Sequence, residues 1–129
     1  MTVSSMLSLY HIDDLLNALI DHSLTSVMIT KAESDTPIVY VNDAFTDLTG
    51  YQPDEVIGKS PKLLQGPDTD QTVLDRLRDD LAAGRTFEGQ AVNYRNDCSS
   101  FDMFWRVFPL KDDDGKPVYF VALQENATH

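Results

Sequence analysis

A chain of 129 residues is about one domain long, and 42% hydrophobic against 24% charged residues is the balance of a globular protein with one core. Twenty-one acidic against ten basic side chains give a formal charge of −11, which disfavours binding to nucleic acid or an anionic membrane surface and is met most simply by a solvated acidic surface. The single Cys98 excludes an internal disulfide and, with three scattered histidines, offers no zinc spacing, so a reducing, cytoplasmic location is expected.

The opening MTVSSMLSLYHIDD lacks a basic region and reaches Asp13 and Asp14 early, a poor match to a secretory signal. No run approaches the ~18 apolar residues of a membrane span. Residues 11–22 place Ile12, Leu15, Leu16, Leu19 and Ile20 at helical spacing, which predicts an amphipathic helix with an acid-rich first turn. That helix and its approach, residues 1–24, read as a cap on a domain spanning 25–129. Residues 26–30 and 37–42 read as a hairpin across the polar loop KAESDT. Asn42 or Asp43 then caps a short helix that closes on Gly50, and Pro53 opens another that stops before Gly58.

GKSPKLLQGPDTD, residues 58–70, has the composition of a binding loop with a short helix over a pocket. Thr69 or Asp70 caps the next helix, whose apolar face is Val73, Leu74, Leu77 and Leu81 and whose stop is Gly84. Three strands follow, at 86–94, 100–110 and 116–125, the last two joined by an Asp114-Gly115 turn. Short connections favour antiparallel pairing, so the fold class is α+β, a five-stranded antiparallel sheet with helices on one face.

Alternation places Phe101, Met103, Trp105 and Val107 on one face of the fourth strand, with Gly89, Ala91 and Asn93 on the third and Phe120, Ala122 and Gln124 on the fifth. If these point to the helices, an apolar pocket holds two amides, which hydrogen-bond either to backbone and water or to a planar ligand. The opposite face, with Phe104, Phe108, Tyr119, Val121 and Leu123, needs cover from the N-terminal helix or from a second copy of the chain. Glu88, Asp97 and Asp102 are separate carboxylates rather than a convergent pair, and no nucleophile or phosphate-loop motif is present, so no enzymatic activity is expected.

The element order, with PIVYVNDAFTDLTGYQPDEVIGK, LLQGPDTD, NYRNDCSSF and VALQENAT, resembles a PAS domain of the light-oxygen-voltage (LOV) branch over roughly residues 25–128. The resemblance implies a flavin nucleotide between helices and sheet, and a cysteine that forms a photoadduct within Gly-x-Asn-Cys-Arg-Phe-Leu-Gln. Here that motif reads GKSPKLLQ, with Pro61 at the adduct position. Gln65, Arg78, Asn93 and Gln124 match flavin-contacting residues of the pattern, whereas Ser60, Lys62 and Met103 replace two asparagines and an arginine, and Trp105 adds bulk to the pocket. Two readings remain open. One is a sensory or interaction module with no flavin, acting through a homodimer or a protein effector. The other is an FMN or FAD sensor of redox state or blue light, without an adduct, that switches hydrogen bonds at Gln124.

Overall fold

The computed structural model describes residues 9–128, with side chains for 14–128; expectations for residues 1–8 and for the side chains of Ile12 and Asp13 lie outside this range. In chain order the elements are α1 (Leu9–Asp21), β1 (Ser26–Lys31), β2 (Ile38–Val41), α2 (Asp43–Thr49), α3 (Pro53–Val56), a 3-10 turn (Pro61–Leu64), α4 (Gln71–Ala82), β3 (Phe87–Tyr94), β4 (Ser100–Lys111) and β5 (Pro117–Asn126). The strands form one antiparallel sheet in the order β2-β1-β5-β4-β3. This is the five-stranded α+β architecture expected from the alternation.

The helices begin and end where local chemistry dictates. Asn42 Oδ1 accepts from the Phe45 amide at 3.1 Å to start α2, and Gly50, at φ 78°, ends it in a left-handed conformation that suits glycine. Pro53 occupies the first turn of α3, where its missing N–H has no cost, and Glu55 reaches back to the Gln52 amide at 2.8 Å. Asp70 caps α4 by accepting from the Thr72 amide at 2.9 Å and the Thr72 hydroxyl at 2.6 Å. Those bonds favour the ionised carboxylate and hold its pKa below the ordinary value, the hydroxyl contributing most. The acid-rich first turn expected of α1 does not form, because the helix begins two residues earlier, at Leu9, and moves Asp13 and Asp14 beyond its first turn.

The inner sheet face follows period two. Phe87, Gly89, Ala91 and Asn93 of β3 are buried, as are Phe101, Met103, Trp105 and Val107 of β4, and Ala122 and Gln124 of β5. Phe45, Ile38 and Val56 join Phe87 as fully enclosed side chains, each worth roughly 1.5–3 kcal/mol over exposure. Val118, on the same face as Ala122, escapes burial because it lies at the far end of β5, and it is 42% exposed. α4 is different: Val73, Leu74, Leu77 and Leu81 are only half-buried, and no residue of the helix is fully enclosed. Its apolar face is shared: Val73, Leu77 and Leu81 pack against the core, while Leu74, Leu77 and Leu81 also border an open space. On the outer face Tyr119 is exposed and Phe104, Phe108, Val121 and Leu123 are half-buried. α1 does not bury its own stripe, since Leu16 and Leu19 are 51% and 59% exposed.

The ion pairs among the described residues, Arg78 with Asp75 and Asp79, Arg85 with Asp80, and Arg106 with Glu88, lie at the surface and offset little of the net charge. Self-repulsion of the folded state should therefore respond to screening. Raising KCl from about 20 mM to about 500 mM is expected to raise the thermal midpoint by about 4 °C. Calorimetry checks this, and a flat or falling midpoint would show that local pairs dominate.

Candidate functional site

Between α4 and the 3-10 turn on one side and the inner sheet face on the other lies a cavity of about 700 Å³. Its lining includes all nine residues singled out in the sequence: Ser60, Pro61, Lys62, Gln65, Arg78, Asn93, Met103, Trp105 and Gln124. The volume falls within the range of small-molecule sites, about 300–1,000 Å³. It also explains why α4 is half-buried.

The loop that carries four of these residues is fixed from both ends. Ser60 Oγ accepts from the Lys62 amide at 3.2 Å and starts the turn that Pro61 pre-sets. Beyond Gln65, the Gly66 amide donates to Thr69 Oγ1 at 3.0 Å, and that hydroxyl donates to the Val92 carbonyl of β3 at 2.7 Å. The Tyr94 hydroxyl accepts from the Asp68 amide at 3.0 Å. A Cβ on Gly66 would run into the Tyr94 ring, so glycine is required where the loop meets β3.

The sheet supplies the polar groups of the cavity. Asn93 is 4% exposed and its Nδ2 donates to the Ala91 carbonyl at 3.3 Å. Gln124 is 1% exposed and its Oε1 accepts from Ser26 Oγ on β1 at 2.9 Å. Among the described residues neither Asn93 Oδ1 nor Gln124 Nε2 has a protein partner, and both residues line the cavity. Trp105 does not stand free in this space: its ring packs on Phe87 with centroids 5.1 Å apart and planes tilted by 53°. Met103 is buried beside it and brings a thioether to the lining.

Charge is confined to the rim. Lys62 is exposed. Arg78 faces solvent and pairs with Asp75 at 3.3 Å and Asp79 at 3.6 Å. Glu33, Asp35 and Thr36 of the β1–β2 loop complete the rim, the last two at positive φ of 65° and 42°. In sequence these residues read only as part of the polar loop KAESDT, with nothing to set them at a pocket. Met28 and Thr30 of β1 also line the cavity and could have been found, because alternation puts them on one face with Ser26.

The carboxylates considered for chemistry stay apart from the cavity. Glu88 pairs with Arg106, and Asp97 accepts from the Ser99 amide at 2.9 Å within the β3–β4 turn. A hydrogen bond from the Ser99 side chain, and after it this backbone bond, holds the Asp97 pKa below its ordinary value. Asp102 is on the outer face of β4. Cys98 is exposed in the same turn, at φ 70°. No cluster of metal-ligating side chains occurs among the described residues, and no helix there is long and apolar enough to cross a membrane.

Comparison with known proteins bears on this site directly. A family model described as PAS domain matches residues 25–129. The chain is 39% identical over 111 residues to Phototropin-2 of Oryza sativa subsp. japonica, covering 86% of this chain and 12% of that protein. It is 41% identical over 96 residues to Blue-light-activated histidine kinase 1 of Erythrobacter litoralis, covering 74% and 27%. The chain thus spans about a quarter or less of these curated relatives. Among solved structures, the light-state LOV domain of the blue-light photoreceptor Aureochrome1 superposes with a TM-score of 0.78 at 34% identity, covering 89% of this chain and 90% of that one. The chain belongs to the PAS domain family, as a homologue of its light-oxygen-voltage domains.

Proposed function

We propose that this chain is a PAS sensory module that holds a flavin in the cavity without cysteinyl photochemistry and reports on it through Gln124. The observation that carries this reading is the pair of buried amides. Asn93 and Gln124 each use one end on protein, and both residues line the cavity, where Asn93 Oδ1 and Gln124 Nε2 have no partner among the described residues. Neither atom is sealed away unpaired, so water meets them in the free chain, and a planar ligand with a hydrogen-bonding edge would take that water's place.

The residues present fit a flavin in kind. Apolar walls from Met28, Leu77, Trp105 and Ala122 suit a flat ring, the amides of Gln65, Asn93 and Gln124 suit its polar edge, and Lys62 and Arg78 at the rim suit a phosphate tail. When bound, the group would supply blue absorption and reversible reduction at its ring. Pro61 has no nucleophile, and Cys98 lies in a turn away from the cavity lining, so nothing in this reading bonds to the ring. Gln124 then acts by its amide alone. A reversal of that amide would place Nε2 towards Ser26 and break the acceptor end of the present bond. Gln124 and Ser26 also line a second surface cavity of about 500 Å³ with Leu48 and Arg95, so such a change would reach the exterior.

A second reading is favoured by Met103 and Trp105, which remove one ring-edge amide from the LOV pattern and add bulk. In it the module holds no flavin and works through contacts alone. In either reading this chain is a binding module rather than an enzyme, and we place its partner, a second copy or a protein effector, on the outer sheet face and α1. Exposed Leu110, Tyr119, Leu16 and Leu19 support that placement.

Purified protein incubated with FMN or FAD is expected to keep structured blue absorption through gel filtration, with no bleaching to an adduct under illumination. Loss of all colour would favour the second reading, and a bleachable adduct would refute the thiol-free one. Pro61→Cys is expected to gain reversible bleaching if the cavity geometry is intact. Gln124→Leu should cost about 1–3 kcal/mol in urea unfolding, because Ser26 Oγ loses its acceptor in a buried position. Sedimentation across a wide concentration range should show reversible dimerisation, and a constant monomer mass would remove the second copy as partner.

A further inference from the structure

α1 lies outside the residues matched to the PAS family, and polar bonds gather at its last turn. A 13-residue helix is marginal by itself in water, and this one leaves Leu16 and Leu19 more than half exposed with Leu15 and Ile20 only half-buried, so packing fixes its position only in part. Its C-terminal carbonyls lack helical partners of their own, as at any helix end. The chain just beyond meets two of them, the His22 amide donating to the Ala18 carbonyl at 3.0 Å and the Ser23 amide to the Ile20 carbonyl at 3.4 Å, and a remote side chain adds a shorter bond to the second. Asn42, 3% exposed, donates from Nδ2 to the Ile20 carbonyl at 3.0 Å and to the Thr25 carbonyl at 3.0 Å. Its Oδ1 accepts from the Val27 amide at 2.9 Å and from the Phe45 amide at 3.1 Å.

All four hydrogen-bonding positions of this one amide are thus engaged, and they join three elements. The carbonyl oxygen caps the start of α2, while the NH2 group caps the end of α1 and fixes the strand entry at Thr25. A second bond supports it: the Tyr40 hydroxyl donates to Asp21 Oδ1 at 2.7 Å. Partial burial, with that bond and the nearby charges of Asp21 and Asp43, pushes the Tyr40 pKa up to about 12, so the donor keeps its proton at all physiological pH.

We propose that Asn42 is the positioning residue that docks α1, and that the attachment of its last turn depends on the amide NH2 and on Tyr40 more than on its exposed leucines. This goes beyond the reading of the cavity and holds whether or not a ligand is bound. Its basis is a separation of roles within one side chain. The cap on α2 needs only an acceptor at residue 42, whereas the hold on α1 needs a donor.

Two variants divide these roles. Asn42→Asp keeps an oxygen able to cap α2 and has no donor for Ile20 or Thr25, while Asn42→Ser keeps the cap and replaces two NH2 donors by one shorter O–H that cannot serve both carbonyls. Amide hydrogen exchange on the full chain is expected to show residues 16–25 exchanging at least about tenfold faster in both variants, with β3, β4 and β5 unchanged. Tyr40→Phe is expected to speed the same segment by a smaller factor, and this variant serves if the substitutions at residue 42 fail to fold. Unchanged exchange in α1, or an equal rise across β3–β5, would overturn the proposal, the latter by showing that Asn42 only maintains the fold.

Discussion

The sheet closes only when the last strand is inserted between the first and the fourth, and the remainder of the molecule depends on that insertion. β5 pairs with β1 on one side and with β4 on the other over most of its length. Until it arrives, β1–β2 and β3–β4 are separate hairpins with no common inner face. Its arrival places Gln124 opposite Ser26, 98 residues away, and completes the wall of the cavity. Such non-local closure orders the full loop between these residues before it returns any packing, which is the usual reason for slow folding of sheets of this kind.

Once the sheet is closed, α4 covers it only in part. The helix meets β3 through Arg76, which donates to the Glu88 carbonyl at 2.8 Å, and through Val73, Leu77 and Leu81 against the core, while its preceding loop is anchored to β3 through Thr69 and Tyr94, with Gly66 pressed against the tyrosine ring. The consequence is an apolar helix face that is half-buried and a space of about 700 Å³ beneath it. Lys62 and Arg78 at its rim and the amides of Asn93 and Gln124 on the sheet all border that space, and the flavin reading proposed above rests on this convergence.

Much of this was legible in the sequence, and the reason is periodicity. Alternation along residues 87–94, 100–108 and 117–124 set which side chains look inward, and the motif register around GKSPKLLQ set which loop would face them; eight of the nine candidate residues meet in one cavity for that reason, and Arg78 joins them from α4. Three things were not legible. The neighbour order β1-β5-β4 depends on pairing between distant segments, which no local pattern encodes. The half-burial of α4 looks in sequence like an ordinary apolar face, because a stripe reads the same whether it meets a sheet or a cavity. The double role of Asn42 was half visible: a residue before a helix announces its acceptor as a cap, while the use of its donor depends on where a remote carbonyl arrives.

That donor brings the two ends of the molecule's chemistry within one tripeptide. Asn42 holds the carbonyl of Thr25 and the amide of Val27, while Ser26 between them donates to Gln124 in the cavity. A strand segment fixed on both sides of Ser26 has little freedom to absorb a change at Gln124 by moving locally. A rearranged Ser26 bond must therefore be met either by the Ser26 hydroxyl turning on its own or by a shift of residues 25–27 as a unit. The first leaves α1 untouched. The second acts on the bonds that dock α1, because the same amide that fixes Thr25 and Val27 also fixes Ile20. The stiffness of this short segment, rather than any long chain of contacts, decides whether the cavity and the N-terminal helix are coupled.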